Sequence, residues 1–186
     1  MGTATTIIMF IWALSEVFLL LKMRSGSRAE NSKDKKSLSY LWIVIGFSIF
    51  FGIFIAKASH FPFYSNEIFQ IIGLAFLMLG VIFRLVVVYN LGKYFTVDVT
   101  IVKDHKLITD GFYKYIRHPS YSFSLLTFVG LALVLNNWIA AIVLLIPVFS
   151  MFLWRIKIEE KVLTEQFGSE YTDYMKRTKK LIPFIY

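Results

Sequence analysis

From His118 to Trp154 the chain runs for 37 residues without one Asp, Glu, Lys or Arg. A helix that crosses a bilayer needs roughly 20 predominantly apolar residues. The run is therefore too long for a single crossing and suits two short ones of about 17 residues each. Its middle carries Asn136-Asn137, and paired asparagine is turn chemistry, because the short amide satisfies nearby backbone groups and tolerates the left-handed region. The segment predicts a tight helical hairpin, with one helix over Pro119–Leu135 and a second from Trp138 onward. Pro147 lies in the second helix and marks a place for a kink.

The rest of the chain follows the same logic. Apolar stretches at Thr3–Leu21, Ser37–Ala56 and Ile68–Leu91 are interrupted only by Glu16 in the first and Arg84 in the third. With 57% hydrophobic and 17% charged residues over 186 positions, the chain is more apolar than a soluble domain, which has about 45–50% and about 25%. The expected fold is all-α: a polytopic membrane bundle of five transmembrane helices, the last two forming the hairpin. Residues 1–91 hold three N-terminal spans. Residues 92–186 hold a polar loop, the hairpin over 119–154, and a C-terminal helix and tail, with Arg155–Glu165 continuing the fifth helix beyond the lipid. No basic stretch precedes the first span, so it does not read as a cleaved signal peptide.

The net charge of +8 is topological and does not indicate nucleic-acid binding. Basic residues favour the cytoplasmic side. Segment 22–36 has six, segment 92–117 has five and segment 155–186 has seven, together 18 of 20, the others being Lys57 and Arg84. Five spans put all three segments on one face, with the N-terminus outside and the C-terminus cytoplasmic. The chain has no cysteine, which removes thiolate nucleophiles and cysteine metal sites. His60, His105 and His118 lie far apart in the chain, and no metal site is expected.

Polar and aromatic residues concentrate in the Gly92–His118 loop and in the tail from Arg155, which flank the hairpin on the cytoplasmic face. Pro119 suits the first position of a helix. His118 would then be its N-cap, where the positive end of the helix dipole favours a neutral imidazole; the bland alternative is a capping histidine beside a snorkelling arginine. Arg155 and Glu159, at i and i+4, share a helix face. They read as a surface ion pair or as a guanidinium for an anion beside a carboxylate for a cation. Methyl transfer from a sulfonium to an oxyanion needs that second combination, held in line at close range. No G-x-G-x-x-G fingerprint occurs, so a nucleoside cofactor would not bind in a Rossmann manner.

The stretches His105-Lys106-Leu107-Ile108, Gly111-Phe112-Tyr113, Arg117-His118-Pro119-Ser120-Tyr121, Asn136, Arg155-x-x-x-Glu159-Glu160 and Phe167-Gly168-Ser169-Glu170-Tyr171, with Tyr174 and Pro183, resemble the isoprenylcysteine carboxyl methyltransferase family, which is related to membrane phospholipid methyltransferases. The resemblance runs from about Gly92 to the end. It implies S-adenosyl-L-methionine as cofactor, in a cytoplasmic pocket made by His105, Lys106, Leu107, Ile108, Tyr113, His118, Pro119, Ser120, Tyr121, Glu159 and Glu160. Arg155 would sit by the acceptor carboxylate, with Arg155 and Glu159 as the catalytic pair. The family's polar residue before the His105 stretch corresponds to Thr100 or Asp98. The acceptor would be a lipophilic small molecule or a lipidated one reached from membrane lipid. The chain resembles the family's compact prokaryotic form, which implies an inner or plasma membrane, and whose acceptors need not be prenylated proteins.

Phospholipid amines and small lipophilic thiols remain alternative acceptors, although a guanidinium repels an ammonium. A small transporter would need polar residues at mid-membrane depth in several spans, and spans two, four and five are nearly devoid of them. A noncatalytic scaffold would be signalled by loss of Arg155 or Glu159, and both are present. Glu16 is an intramembrane carboxylate with Arg84 as its one evident partner, or else a solvated interfacial group. Arg84 reads as a side chain snorkelling to the headgroups. The Phe47–Phe54 stretch reads as lipid-facing and helix-packing surface.

Overall fold

The computed structural model describes residues 3–23, 35–102, 104–183 and 186. Within them the chain forms α1 (Thr3–Lys22), α2 (Lys35–Ala58), α3 (Ile68–Leu91), α4 (Pro119–Leu135), α5 (Trp138–Phe167) and α6 (Ser169–Arg177). The described residues contain no β-strand; isolated bridge residues occur, among them the parallel pair Ile116 and Lys179. Four helices, α1, α2, α3 and α5, are long and apolar enough to cross a membrane, and α4 is a shorter apolar helix. The protein is an all-α, multi-pass membrane bundle. Much of the expected basic linker between the first two spans lies outside the described residues.

Asn136 and Asn137 make the hairpin turn. Asn136 adopts the left-handed conformation at φ 45°, and Asn137 caps α5 by accepting from the Ala140 amide at 3.0 Å. Both side chains also reach across to the α2–α3 connection. The Asn136 amide oxygen accepts from the Phe63 and Tyr64 backbones at 3.1 and 3.2 Å, and Asn137 donates to the Ser59 carbonyl at 3.0 Å. One dipeptide thus fastens both turns at that end of the bundle. Helix α5 passes Pro147 without interruption and continues to Phe167, well past Arg155.

The hairpin is not the tightest pair. Helix α4 packs mainly against α3, and α5 against α2. In lipid no hydrophobic force drives helices together, so close packing between small residues does the work. A Cβ on Gly130 would lie 2.6 Å from the Gly73 carbonyl, and one on Gly80 would lie 2.6 Å from the Thr127 amide. The two backbones approach where side chains are missing. Leu77, Val81, Phe128, Leu131, Leu144, Val148 and Phe152 fill the centre. Phe47, Phe50 and Phe54 are 58–64% exposed on the outer surface of α2, as an apolar lipid-facing surface requires.

Helix α1 buries only Thr5, Trp12 and Leu19. Trp12 meets Phe128 edge-on, with ring centroids 5.1 Å apart. Arg84 does not snorkel: its Nε and Nη2 hold the Glu16 carboxylate at 2.7 and 3.0 Å, and Nη1 donates to Ser120 Oγ at 2.6 Å. Both side chains are largely buried. A bidentate pair satisfies two intramembrane charges at once, which headgroup contact would do for only one.

Candidate active site

A cavity opens between the polar loop, the start of α4, the far half of α5 and α6. Thr100, His105, Lys106, Leu107, Ile108, Tyr113, His118, Pro119, Ser120, Tyr121, Arg155 and Glu159 all line it. Asp98, the alternative to Thr100, lines it as well. Residues separated by up to about sixty positions meet because the tail folds back along the loop. The amides of Arg117 and His118 donate to the carbonyls of Lys179 and Lys180 at 2.8 and 3.1 Å, and the Lys179 amide donates to Tyr115 at 3.0 Å.

Arg155 is only 2% exposed. It donates to Tyr121 Oη at 3.0 Å, to Ser37 Oγ at 3.1 Å and to the Val97 carbonyl. A guanidinium has five N–H donors, so these contacts fix its plane and leave capacity for an anion. The Tyr121 hydroxyl accepts from Arg155 and also interacts electrostatically with the Glu159 carboxylate. The i, i+4 pair is therefore not a surface salt bridge. Its members are joined through one phenol at the wall of the cavity, with Glu159 the more accessible of the two.

Glu160 is not at the cavity wall. Successive helical residues point about 100° apart, and with Glu159 at the cavity its neighbour is turned away from it. Glu160 faces the tail. Its carboxylate meets Arg117 Nε at 3.0 Å, Lys180 Nζ at 3.1 Å and His118 Nε2 at 3.3 Å. Arg117 extends the cluster by donating to the carbonyls of Met175 and Thr178, the former at 3.1 Å.

His118 is the N-cap residue of α4, with Pro119 in the first turn. Its surroundings work against the neutral form that the helix dipole alone would favour. Its Nδ1 lies 3.7 Å from Glu159 and its Nε2 3.3 Å from Glu160. Burial pushes its pKa down, but the hydrogen bonds and charges of the two carboxylates outweigh burial and raise it. Two full charges at contact distance exceed the fraction of a charge at a helix end. His105 behaves oppositely: burial lowers its pKa, against a smaller raising effect of Glu159. It stacks on Tyr94 with centroids 5.3 Å apart.

The cavity continues towards the membrane interior along Trp12, Leu41, Trp42, Ile45, Phe128 and Phe152, with Glu16 and Arg84 also in its wall. One end is thus charged and aromatic, the other apolar. Sequence reasoning assigned no role to Ser37, Trp42, Lys180 or Tyr171. The first two stand alone in apolar spans, and only the close approach of α2 to α5 and to the loop gives them meaning. Tyr171 had a usable signal, since it and Tyr174 share a face of an otherwise polar helix.

The fold and this cavity define a class: a multi-pass membrane protein with a charged, aromatic cavity at one end of the bundle and an apolar extension into it. The Isoprenylcysteine carboxyl methyltransferase (ICMT) family matches residues 72–165, half of the chain, and the protein belongs to that family. It is 38% identical over 115 residues to Protein-S-isoprenylcysteine O-methyltransferase B of Arabidopsis thaliana, covering 61% of this chain and 58% of that one. It is 36% identical over 121 residues to the Tribolium castaneum Protein-S-isoprenylcysteine O-methyltransferase, covering 61% and 41%. The match thus spans about half the length of these relatives. The solved structure of the eukaryotic intramembrane Ras methyltransferase ICMT aligns with a TM-score of 0.60 at 25% identity, over 98% of this chain and 64% of that one.

Proposed function

We propose that this protein is a membrane methyltransferase that moves a methyl group from S-adenosyl-L-methionine to a lipophilic acceptor carrying a carboxylate or other oxyanion, as in isoprenylcysteine carboxyl methylation. The observation that carries this reading is the Arg155–Tyr121–Glu159 link at the junction between the charged and apolar ends of one cavity. A sulfonium cofactor supplies an activated methyl group. Glu159 gives its positive charge a carboxylate partner, and Arg155 gives the acceptor's negative charge a guanidinium partner. Both act before and during the transfer, so the charges that disappear in the reaction are held in line rather than solvated. His105, Lys106, Leu107, Ile108, Tyr113, His118, Pro119, Ser120 and Tyr121 would make the cofactor pocket, and Thr100 its loop side. An anion-binding arginine favours an oxygen acceptor over an amine. We further read the site as cytoplasmic, with the N-terminus outside, because 18 of 20 basic residues fall in the three segments on that side.

Calorimetry of the purified protein with S-adenosyl-L-methionine is the direct test. Binding is expected, and its absence would refute the reading. Glu159→Ala should abolish cofactor binding. Arg155→Lys keeps a charge but loses the fork; it should leave cofactor affinity intact and lower the methylation rate of S-farnesylcysteine-type acceptors by about 10²–10³. Two variants that both kept wild-type turnover would sink the role assignment.

A further inference from the structure

Among the described residues, three buried side-chain polar atoms have no hydrogen-bond partner: Trp42 Nε1, His105 Nδ1 and the Tyr171 hydroxyl. All three residues line the one cavity. Buried polar groups are otherwise paired in folded proteins, and an orphan loses its water without compensation. Orphans gathered on one cavity wall are the contacts that a ligand completes. Tyr171 is the most telling of them, because the residue is 1% exposed and its hydroxyl is left without a partner at the wall of the cavity.

Its neighbour on α6 supplies a contrast. Tyr174, with a ring centroid 5.9 Å from that of Tyr171, donates its hydroxyl to the Tyr113 carbonyl at 2.6 Å. Tyr174 is thus a structural tie between tail and loop. Tyr171, one turn away and equally buried, makes no such tie.

Resting on the methyltransferase reading above, we propose that Tyr171 is a cofactor-binding residue whose hydroxyl donates a hydrogen bond to a neutral acceptor on the nucleoside part of S-adenosyl-L-methionine, a ring nitrogen or a ribose oxygen. The charges around it select this end of the cofactor. Glu159 and Glu160 lie near the phenol, with Arg117 as the opposing cation, and Arg117 is already committed to Glu160 and to the Met175 and Thr178 carbonyls. A ligand carboxylate brought to Tyr171 would meet two like charges, whereas a neutral acceptor would not. Burial first, and then the two carboxylates, raise the Tyr171 pKa, so the phenol keeps its proton and acts as a donor.

The test is Tyr171→Phe in the full-length protein, which removes one oxygen and preserves the ring. Two measurements are needed: calorimetric affinity for S-adenosyl-L-methionine and for 5′-methylthioadenosine, which lacks the amino-acid carboxylate, and the melting temperature of the ligand-free protein. Loss of a ligand hydrogen bond should weaken both ligands by about tenfold. The ligand-free variant should melt no lower than wild type, because the oxygen it loses had no partner there. Unchanged affinities, with wild type binding normally, would overturn the Tyr171 assignment alone. A loss seen with S-adenosyl-L-methionine but not with 5′-methylthioadenosine would overturn its placement at the nucleoside. A lower ligand-free melting temperature would mean that the hydroxyl is structural. If wild type bound neither compound, the methyltransferase reading would fall and this inference with it.

Discussion

Replacing Gly130 by alanine tests the packing that positions the site. The added Cβ would lie 2.6 Å from the Gly73 carbonyl oxygen and 2.9 Å from Leu77 Cα, with the Leu77 backbone nitrogen closer still. An ordinary contact begins near 3.4 Å, so α3 and α4 must part by more than about 0.8 Å there. The obstructing atoms are backbone and cannot rotate away. Overpacking of this kind costs about 1–3 kcal/mol. At about 2 kcal/mol, the midpoint of a chain this size falls by roughly 4–8 °C. The same separation loosens Arg84 from Ser120 Oγ, now at 2.6 Å, and carries His118 and Tyr121 with the start of α4, so cofactor affinity should fall too. Gly46→Ala is the control: its Cβ would meet nothing within 4 Å, and exchanging a helical glycine for alanine there is expected to be neutral or to stabilise by up to about 1 kcal/mol. Thermal unfolding in one detergent, followed by circular dichroism, distinguishes the two. Equal midpoints for Gly130→Ala and Gly46→Ala would refute the close-approach argument.

Glu160→Gln should destabilise by about 3–5 kcal/mol, because it leaves Arg117, Lys180 and His118 facing a neutral amide in a buried setting. Losing Lys176 from its exposed pair with Asp173 should leave the melting temperature unchanged; similar losses in both would contradict the assignment of the cluster. His118 and the partly buried His105 predict opposite pH limbs. His118, with its pKa raised, contributes stability below the ordinary imidazole value of about 6.5 and loses it as pH rises through its higher folded value. His105, with its pKa lowered, costs stability as pH falls below about 6.5. Melting temperature against pH should therefore decline on both sides, and His118→Gln should remove the alkaline limb; an unaltered limb would rule His118 out as its source. Because the chain has no cysteine, single cysteines at the exposed Ser65 and Ser169 should react with a membrane-impermeant maleimide from opposite sides, Ser65→Cys from outside, and labelling from the same side would refute five crossings.

The sequence by itself determined the membrane class, the helix limits and the hairpin turn. These follow from local facts: run length against bilayer thickness, the absence of charge, and the chemistry of Asn136-Asn137. It also pointed to segments that the structure brings to one cavity, Arg155 and Glu159 among them. Glu159 and Glu160 were not told apart by spacing, because adjacent residues of one helix can line one cavity, as Leu41 and Trp42 do.

Only the tertiary structure decided which helices pair, and it chose α3 with α4 and α2 with α5 over the sequential hairpin. Glycines at 73, 80 and 130 set that choice through a fit between two surfaces, which neither sequence segment contains. It also joined Arg84 to Glu16, drew Glu160 to the tail, and set two carboxylates beside His118 that raise its pKa against the preference of its own helix end. In these cases the partners lie 20 to 68 positions apart along the chain. Charge state and pairing depend on distance in space, and at such separations along the chain only the packed bundle fixes that distance.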